Sequence, residues 1–477
     1  MPTLMVQGCT SWAGKSLLVT ALARSFARRG VRVAPFKALN MANNARVVQG
    51  GEIATAQYLQ ALAAGIEPDV RMNPVLVKPE GETRSQVVVL GKVDHELSRT
   101  AWRGRAGALW PHIEAAFTSL ESDVDLVLAE GAGSPAEFNL WDIDVANMRI
   151  AELADAVVLL VVDIDRGGAF AHLWGTWSLL PQRHRSLIKG FVLNKFRGDQ
   201  ALLDPAPAEL GRVTGVPVLG VIPYLNHALP DEDGAGPVRA TADDDAPTVA
   251  VIRYPTASNL DEFKALEGVA RLRWAWIKQD LEDADLVILP GSKFVASDLE
   301  WLRAQGFSGA LRDRIHRGGR VLGICGGLQM LGERLEDPAN VDGSATGLSE
   351  LELHTRFETE KITRVTRARF RSLPEPWAAL SGLMFNGYEI RHGRGVATGP
   401  LREAIAGGLG YVQGPVLGSF VHGMFESPDV ARALFGTSSS PTFDETFDFL
   451  ADAIDGALHM ETLRSALPDQ LAPLGLR

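Results

Sequence analysis

Gly8-Cys9-Thr10-Ser11-Trp12-Ala13-Gly14-Lys15-Ser16 decides the reading of the first half of this chain. The apolar Leu4-Met5-Val6 precedes it and reads as a short buried strand. After it, Leu18, Leu22 and Phe26 recur at helical spacing with Leu17 and Ala21 beside them. Arg28 and Arg29 fill the last turn and Gly30 stops the helix. A strand, a glycine loop ending in Gly-Lys-Ser and an amphipathic helix form the context of a phosphate-binding loop. Its backbone N–H groups and the helix N-terminus cradle phosphate charge. Gly8, Thr10, Gly14, Lys15 and Ser16 are therefore expected at a nucleotide, with Lys15 reaching the β/γ-phosphates. The Ser16 hydroxyl is expected on Mg²⁺.

Further apolar runs extend the pattern: Val31–Phe36, Asp125–Ala129, Ala156–Val162, Leu187–Leu193 and Val216–Ile222. They are short, rich in Val, Leu and Ile, and do not alternate, as in parallel strands covered on both faces. Glu130 ends one such run and is followed by Gly131-Ala132-Gly133, so it is expected at the metal. Asn194, at the end of another, is expected to read the adenine. The stretch 229–247 is rich in Pro, Gly and Asp and reads as a solvated linker.

A second α/β pattern follows, with strands at Val249–Ile252, Leu286–Leu289 and Val321–Ile324 and helices near Leu260–Ala270 and Gly327–Leu335. Lys361–Phe370 and Gly410–Val421 read as β-like, and 442–464 as helical. The expected division is 1–228, 248–440 and a C-terminal helical tail, 441–477. Gly323-Ile324-Cys325-Gly326-Gly327 ends a strand and opens a helix, the turn that exposes a nucleophile. A helix start favours thiolate over thiol. The N–H of Gly326, with a second donor at Gly291, is expected to stabilise an oxyanion. His422, before Gly423, is the expected base for Cys325. Glu426, packing or a backbone carbonyl are left open as what orients it.

A net charge of −11 excludes a nucleic-acid binder that relies on nonspecific phosphate attraction, and disfavours an anionic membrane surface. No run reaches the roughly 18 apolar residues of a membrane span. The start of the sequence has no basic leader. Two cysteines cannot make a disulfide framework, so a reducing, cytoplasmic setting is expected.

The five-residue spacing between Gly8 and Gly14 resembles the dethiobiotin-synthetase-like branch of P-loop proteins. With Gly50-Gly51-Glu52-Ile53, Asp163-Ile164-Asp165-Arg166-Gly167-Gly168, Asn194-Lys195-Phe196, the elbow at Cys325 and Asn386-Gly387-Tyr388-Glu389-Ile390, the chain resembles the cobyric acid synthase family. The resemblance implies such a P-loop domain of parallel sheet followed by a class I glutamine-amidotransferase-like α/β domain. It implies glutamine hydrolysis in the rear half, with ammonia passed forward. ATP then activates the b, d, e and g carboxylates of a corrinoid, adenosylcobyrinic acid a,c-diamide. Glu52 is a candidate at the metal, and Lys37, Glu52 and Arg166 are candidates at the corrinoid. Homo-oligomerisation is left open. The rival readings are cobyrinic acid a,c-diamide synthase and a partition-type ATPase switch.

Overall fold

The computed structural model describes residues 2–80, 84–230, 245–437 and 441–466. Most of the expected linker lies outside the described residues. The first half is built on a six-stranded sheet in the order Val218–Pro223, Ile188–Phe196, Val157–Asp163, Thr3–Gly8, Leu126–Glu130 and Val33–Phe36. Every pair is parallel. Residues such as Leu4, Leu128, Leu159 and Val192 are wholly buried, because helices cover both faces. The register sets Val6 beside Glu130 and Asp163 beside Asn194, so the loops after these strands meet at one sheet edge. Ligands bind in the crevice at that edge in open parallel sheets.

Two small sheets were not legible beforehand. One pairs Leu39–Met41, Val75–Pro79, Ser85–Val89 and Lys92–Asp94; the other is the hairpin of Ala45–Val48 and Gly51–Ala54. That hairpin packs on a long two-stranded arm of the second half, Leu353–Arg369 with Met384–Ala397.

The second half has a seven-stranded sheet in the order Arg271–Ala275, Thr248–Ile252, Leu286–Leu289, Arg320–Ile324, Val416–Ser419, Gly410–Gln413 and Arg402–Ile405. The first five strands run parallel and the last two antiparallel. The expected helix at Leu260–Ala270 is instead a 3₁₀ segment, Leu260–Leu266. The helix expected over Gly327–Leu335 ends at Leu331, and Arg334–Glu336 is a strand. Gly332 stops it, packed against the Leu353 carbonyl with no room for a side chain.

The helix Phe443–Ala457 returns to the first half and packs on Lys15–Arg28. Thr442 and Glu445 form its capping box. Arg24 pairs with Asp448 at 2.7 Å, Arg28 with Asp452 at 2.6 Å and Arg29 with Asp455 at 2.7 Å. The helix that begins at Lys15 is thus braced along its outer face by the end of the chain.

Candidate active site

The phosphate-binding loop encloses a cavity of about 750 Å³ lined by Ser11, Trp12, Gly14, Lys15, Ser16 and Asn194, among others. Gly14 has φ 95°, and a Cβ there would strike the Asn194 carboxamide, so glycine is required. Lys15 Nζ donates to the carbonyls of Thr10 at 3.4 Å and Gly133 at 3.3 Å. Gly8 and Thr10 belong to the loop but not to the cavity lining. Asn194 Nδ2 donates to the Ala13 carbonyl at 2.8 Å, which braces the loop as well as lining the cavity.

Glu130 is the polar hub. Its Oε1 accepts from Ser16 Oγ and from Lys37 Nζ, each at 2.8 Å, and its Oε2 from Gln60 Nε2 at 2.7 Å. A hydroxyl and a carboxylate converging beside a phosphate loop are hard oxygen donors that fit Mg²⁺, which takes one or two protein oxygens with phosphate and water. Ser16 and Glu130 would hold it.

The structure places three further candidates as follows. Glu52 is not at this centre: it is buried between Lys78 at 2.7 Å and Lys361, from the second half, at 2.5 Å. Those two cations hold its carboxyl below the usual range despite burial. Lys37 reaches inward to Glu130, although its chain still lines the cavity. Arg166 stays on the surface beside Asp163 at 3.4 Å and does not line the cavity.

In the second half, Cys325 has φ 50° and ψ −103°, an unfavourable backbone for a side chain with a Cβ. Its N–H donates to the Ser419 carbonyl at 2.7 Å, and Gly327 N–H to the Pro290 carbonyl at 3.0 Å. A Cβ on Gly326 would meet Ser292, and one on Gly291 would meet His422 Cε1. The backbones of 291–292 and 325–326 therefore lie side by side next to the thiol. Cys325 and His422 share a second, smaller cavity of about 70 Å³, and the Cys325 thiol donates weakly to the Ile390 carbonyl at 3.8 Å.

His422 is 1% exposed and has a carboxylate partner that no local spacing indicated. Its Nδ1–H donates to Glu262 Oε1 at 2.8 Å, and the Gly423 N–H donates to Glu262 Oε2 at 2.9 Å. Burial works against the imidazolium, but Glu262 and Cys325 outweigh it and push the His422 pKa up to about 10. Glu426 does not orient the histidine; it pairs with Arg46 of the first half at 2.5 Å. Arg46 also grips Asp261 at 2.6 Å and lies over the Tyr388 ring at 5.0 Å. Tyr388 in turn stacks on His422, with ring centroids 5.3 Å apart. Cys9 is different: burial pushes its pKa up to about 12, as suits an inert loop residue.

The run Ser258-Asn259-Leu260-Asp261-Glu262 was the available signal for the acid, two carboxylates after the first strand of a sheet. Its reading as an amphipathic helix set Glu262 apart from the site.

Residues 4–234 match the CobQ/CobB/MinD/ParA nucleotide-binding domain family, and residues 248–430 the CobB/CobQ-like glutamine amidotransferase domain family. A cobyric acid synthase of Paracidovorax citrulli is 55% identical, aligned over 95% of this chain and 96% of the relative. One from Acidovorax sp. is 54% identical over 96% of each. One from Variovorax paradoxus is 51% identical over 97% of this chain and 99% of the relative. No helix among the described residues is long and apolar enough to cross a membrane.

Proposed function

The chain belongs to the cobyric acid synthase family, and on that premise we propose how its two sites share the reaction. It is a glutamine-hydrolysing ligase that forms amides in cobalamin biosynthesis. The observation that carries the division of labour is the buried Cys325–His422–Glu262 set facing the same interdomain seam as the phosphate-binding cavity.

In the rear site the Cys325 sulfur attacks the side-chain amide of glutamine. The N–H groups of Gly326 and Gly291 receive the developing oxyanion. His422, held by Glu262, gives its proton to the departing ammonia, and water then releases glutamate from the thioester. In the front site ATP phosphorylates a carboxylate of adenosylcobyrinic acid a,c-diamide, and ammonia displaces the phosphate. Lys15 offsets charge on the transferring phosphoryl group. Mg²⁺, when bound at Ser16 and Glu130, supplies further charge neutralisation there. The b, d, e and g carboxylates are the acceptors. Because Cys325 must remain a free thiol, a reducing cytoplasm suits the chemistry; both cysteines are unbridged.

The test is to supply ATP, Mg²⁺, glutamine and each corrinoid and to weigh the products. Four carboxylate-to-amide exchanges on the a,c-diamide are expected. Two exchanges on cobyrinic acid would favour the diamide synthase instead. Glutamate and ADP with an unaltered macrocycle would refute amidation altogether.

A further inference from the structure

The two cavities adjoin, and among the described residues Asn43 alone lines both. It follows the strand Leu39–Met41 at the seam between the halves. Its neighbours are fixed. Ala42 N–H donates to the Val77 carbonyl at 3.1 Å. Asn44 Oδ1 accepts from the Leu260 N–H at 3.0 Å, so this stretch is tied to the segment that carries Glu262. The Asn43 side-chain oxygen is shut off from solvent and accepts no hydrogen bond from the described residues. A buried acceptor without a donor is costly, so its retention calls for a transient donor.

The smaller cavity is lined by the thiol, His422 and Asn43, and also by Lys78, Lys293 and Lys361. Lys78 and Lys361 share Glu52, and Lys293 Nζ donates to Gln86 Oε1 at 2.8 Å. The wall also carries Arg391 and the carboxylates of Glu80 and Asp342. Burial brings the Lys293 pKa down to about 7, so it can also hold a neutral amine. The space, about 70 Å³, suits a molecule the size of water or ammonia.

We propose that Asn43 is the portal by which ammonia leaves the thiol cavity for the phosphate-binding cavity, its carboxamide oxygen accepting a hydrogen bond from the passing molecule. This rests on the division of labour proposed above. Asn43 acts as a positioning residue and touches neither the thiol nor the phosphoryl chemistry.

The test is the yield of glutamate per amide formed in Asn43→Leu, which fills the portal and removes the acceptor. Glutamine-driven amidation is expected to fall about tenfold or more, while glutamine hydrolysis and ammonium-driven amidation each stay within about twofold of wild type. Glutamate and amide yields that remain matched overturn the proposal. So does loss of ammonium-driven amidation in the folded variant, which would place Asn43 in the synthetase chemistry. Should Asn43→Leu fail to fold, Asn43→Ala carries the test. It is expected to release about threefold more glutamate per amide with ammonium-driven amidation intact, and matched yields there overturn the proposal equally. Wild-type protein that amidates with ammonium but never with glutamine would instead sink the division of labour itself.

Discussion

Replacing Glu262 by glutamine keeps the shape of the site and removes one charge. His422 Nδ1 lies 2.8 Å from the carboxylate, and neither side chain is open to solvent. Two opposite unit charges about 4 Å apart attract by roughly 4 kcal/mol at an effective dielectric constant near 20. The rise of the His422 pKa from 6.5 to about 10 gives a similar figure: 3.5 decades at ~1.4 kcal/mol each is roughly 5 kcal/mol, of which Cys325 supplies a share. In the mechanism proposed above the imidazolium gives its proton to departing ammonia, so most of this loss falls on the glutaminase barrier. Glu262→Gln is expected to slow glutamine hydrolysis about 10³-fold, in line with the large loss when a triad acid becomes its amide. Ammonium-driven amidation should be unchanged. The raised pKa also sets the direction of the stability effect. The ion pair contributes fully below the unfolded histidine value near 6.5 and fades as pH climbs toward about 10. The melting difference between wild type and variant should therefore be largest at neutral pH and below, and shrink on the alkaline side. Glutamate release by the folded variant within tenfold of wild type would refute the role given to Glu262.

Cys325→Ala is expected to abolish amidation from glutamine and to leave it intact with high ammonium, as read from corrinoid mass. Lys15→Ala should remove amidation from both nitrogen sources, at a cost of roughly 10² or more in ammonium-driven rate, while glutamine is still hydrolysed. Arg46→Ala strands Asp261, whose side chain is wholly buried, and should lower unfolding stability by about 3–5 kcal/mol in calorimetry or denaturant titration. The same variant should slow glutamine hydrolysis, because Arg46 also backs the Tyr388 ring that stacks on His422.

The parallel sheet of the first half was legible because both its faces are covered. Leu126–Glu130 and Val157–Asp163 are buried at every position, so no polar alternation interrupts the apolar run. Cys325 was legible for a similar reason: flanking glycines admit the Leu289 carbonyl and the Ser292 backbone, and that demand is written locally. The acid of the site left no such trace. Glu262 and His422 are 160 positions apart, and only the closing of the sheet brings them together. The hairpin Ala45–Val48 with Gly51–Ala54 was hidden too. Its strands are four residues each, and its key side chains, Arg46 and Glu52, are charged, which is not the pattern of a buried strand. Their burial depends on partners in the other half, Asp261 and Lys361. The resemblance marked the Gly-Gly-Glu element as important, with Glu52 a candidate at the metal; the fold gives it a different task.

That task explains why a phosphate-binding domain carries charges so far from its own cavity. Buried ion pairs add little to stability when weighed against apolar packing, but they penalise every arrangement that leaves one partner alone. Were the halves to part, Arg46, Asp261, Glu52 and Lys361 would each lose a partner held at 2.5 to 2.6 Å. The seam therefore has one permitted register, and that register is set by hairpin residues on one side and by the Asn259–Glu262 segment on the other. Asn259 Nδ2 donates both to the Ala45 carbonyl and to the Tyr388 hydroxyl, at 2.9 and 3.0 Å. The contacts that dock the halves are thus the same ones that aim the acid and the ring at His422. The docked register therefore aligns the thiol site and at the same time sets its cavity beside the phosphate-binding one.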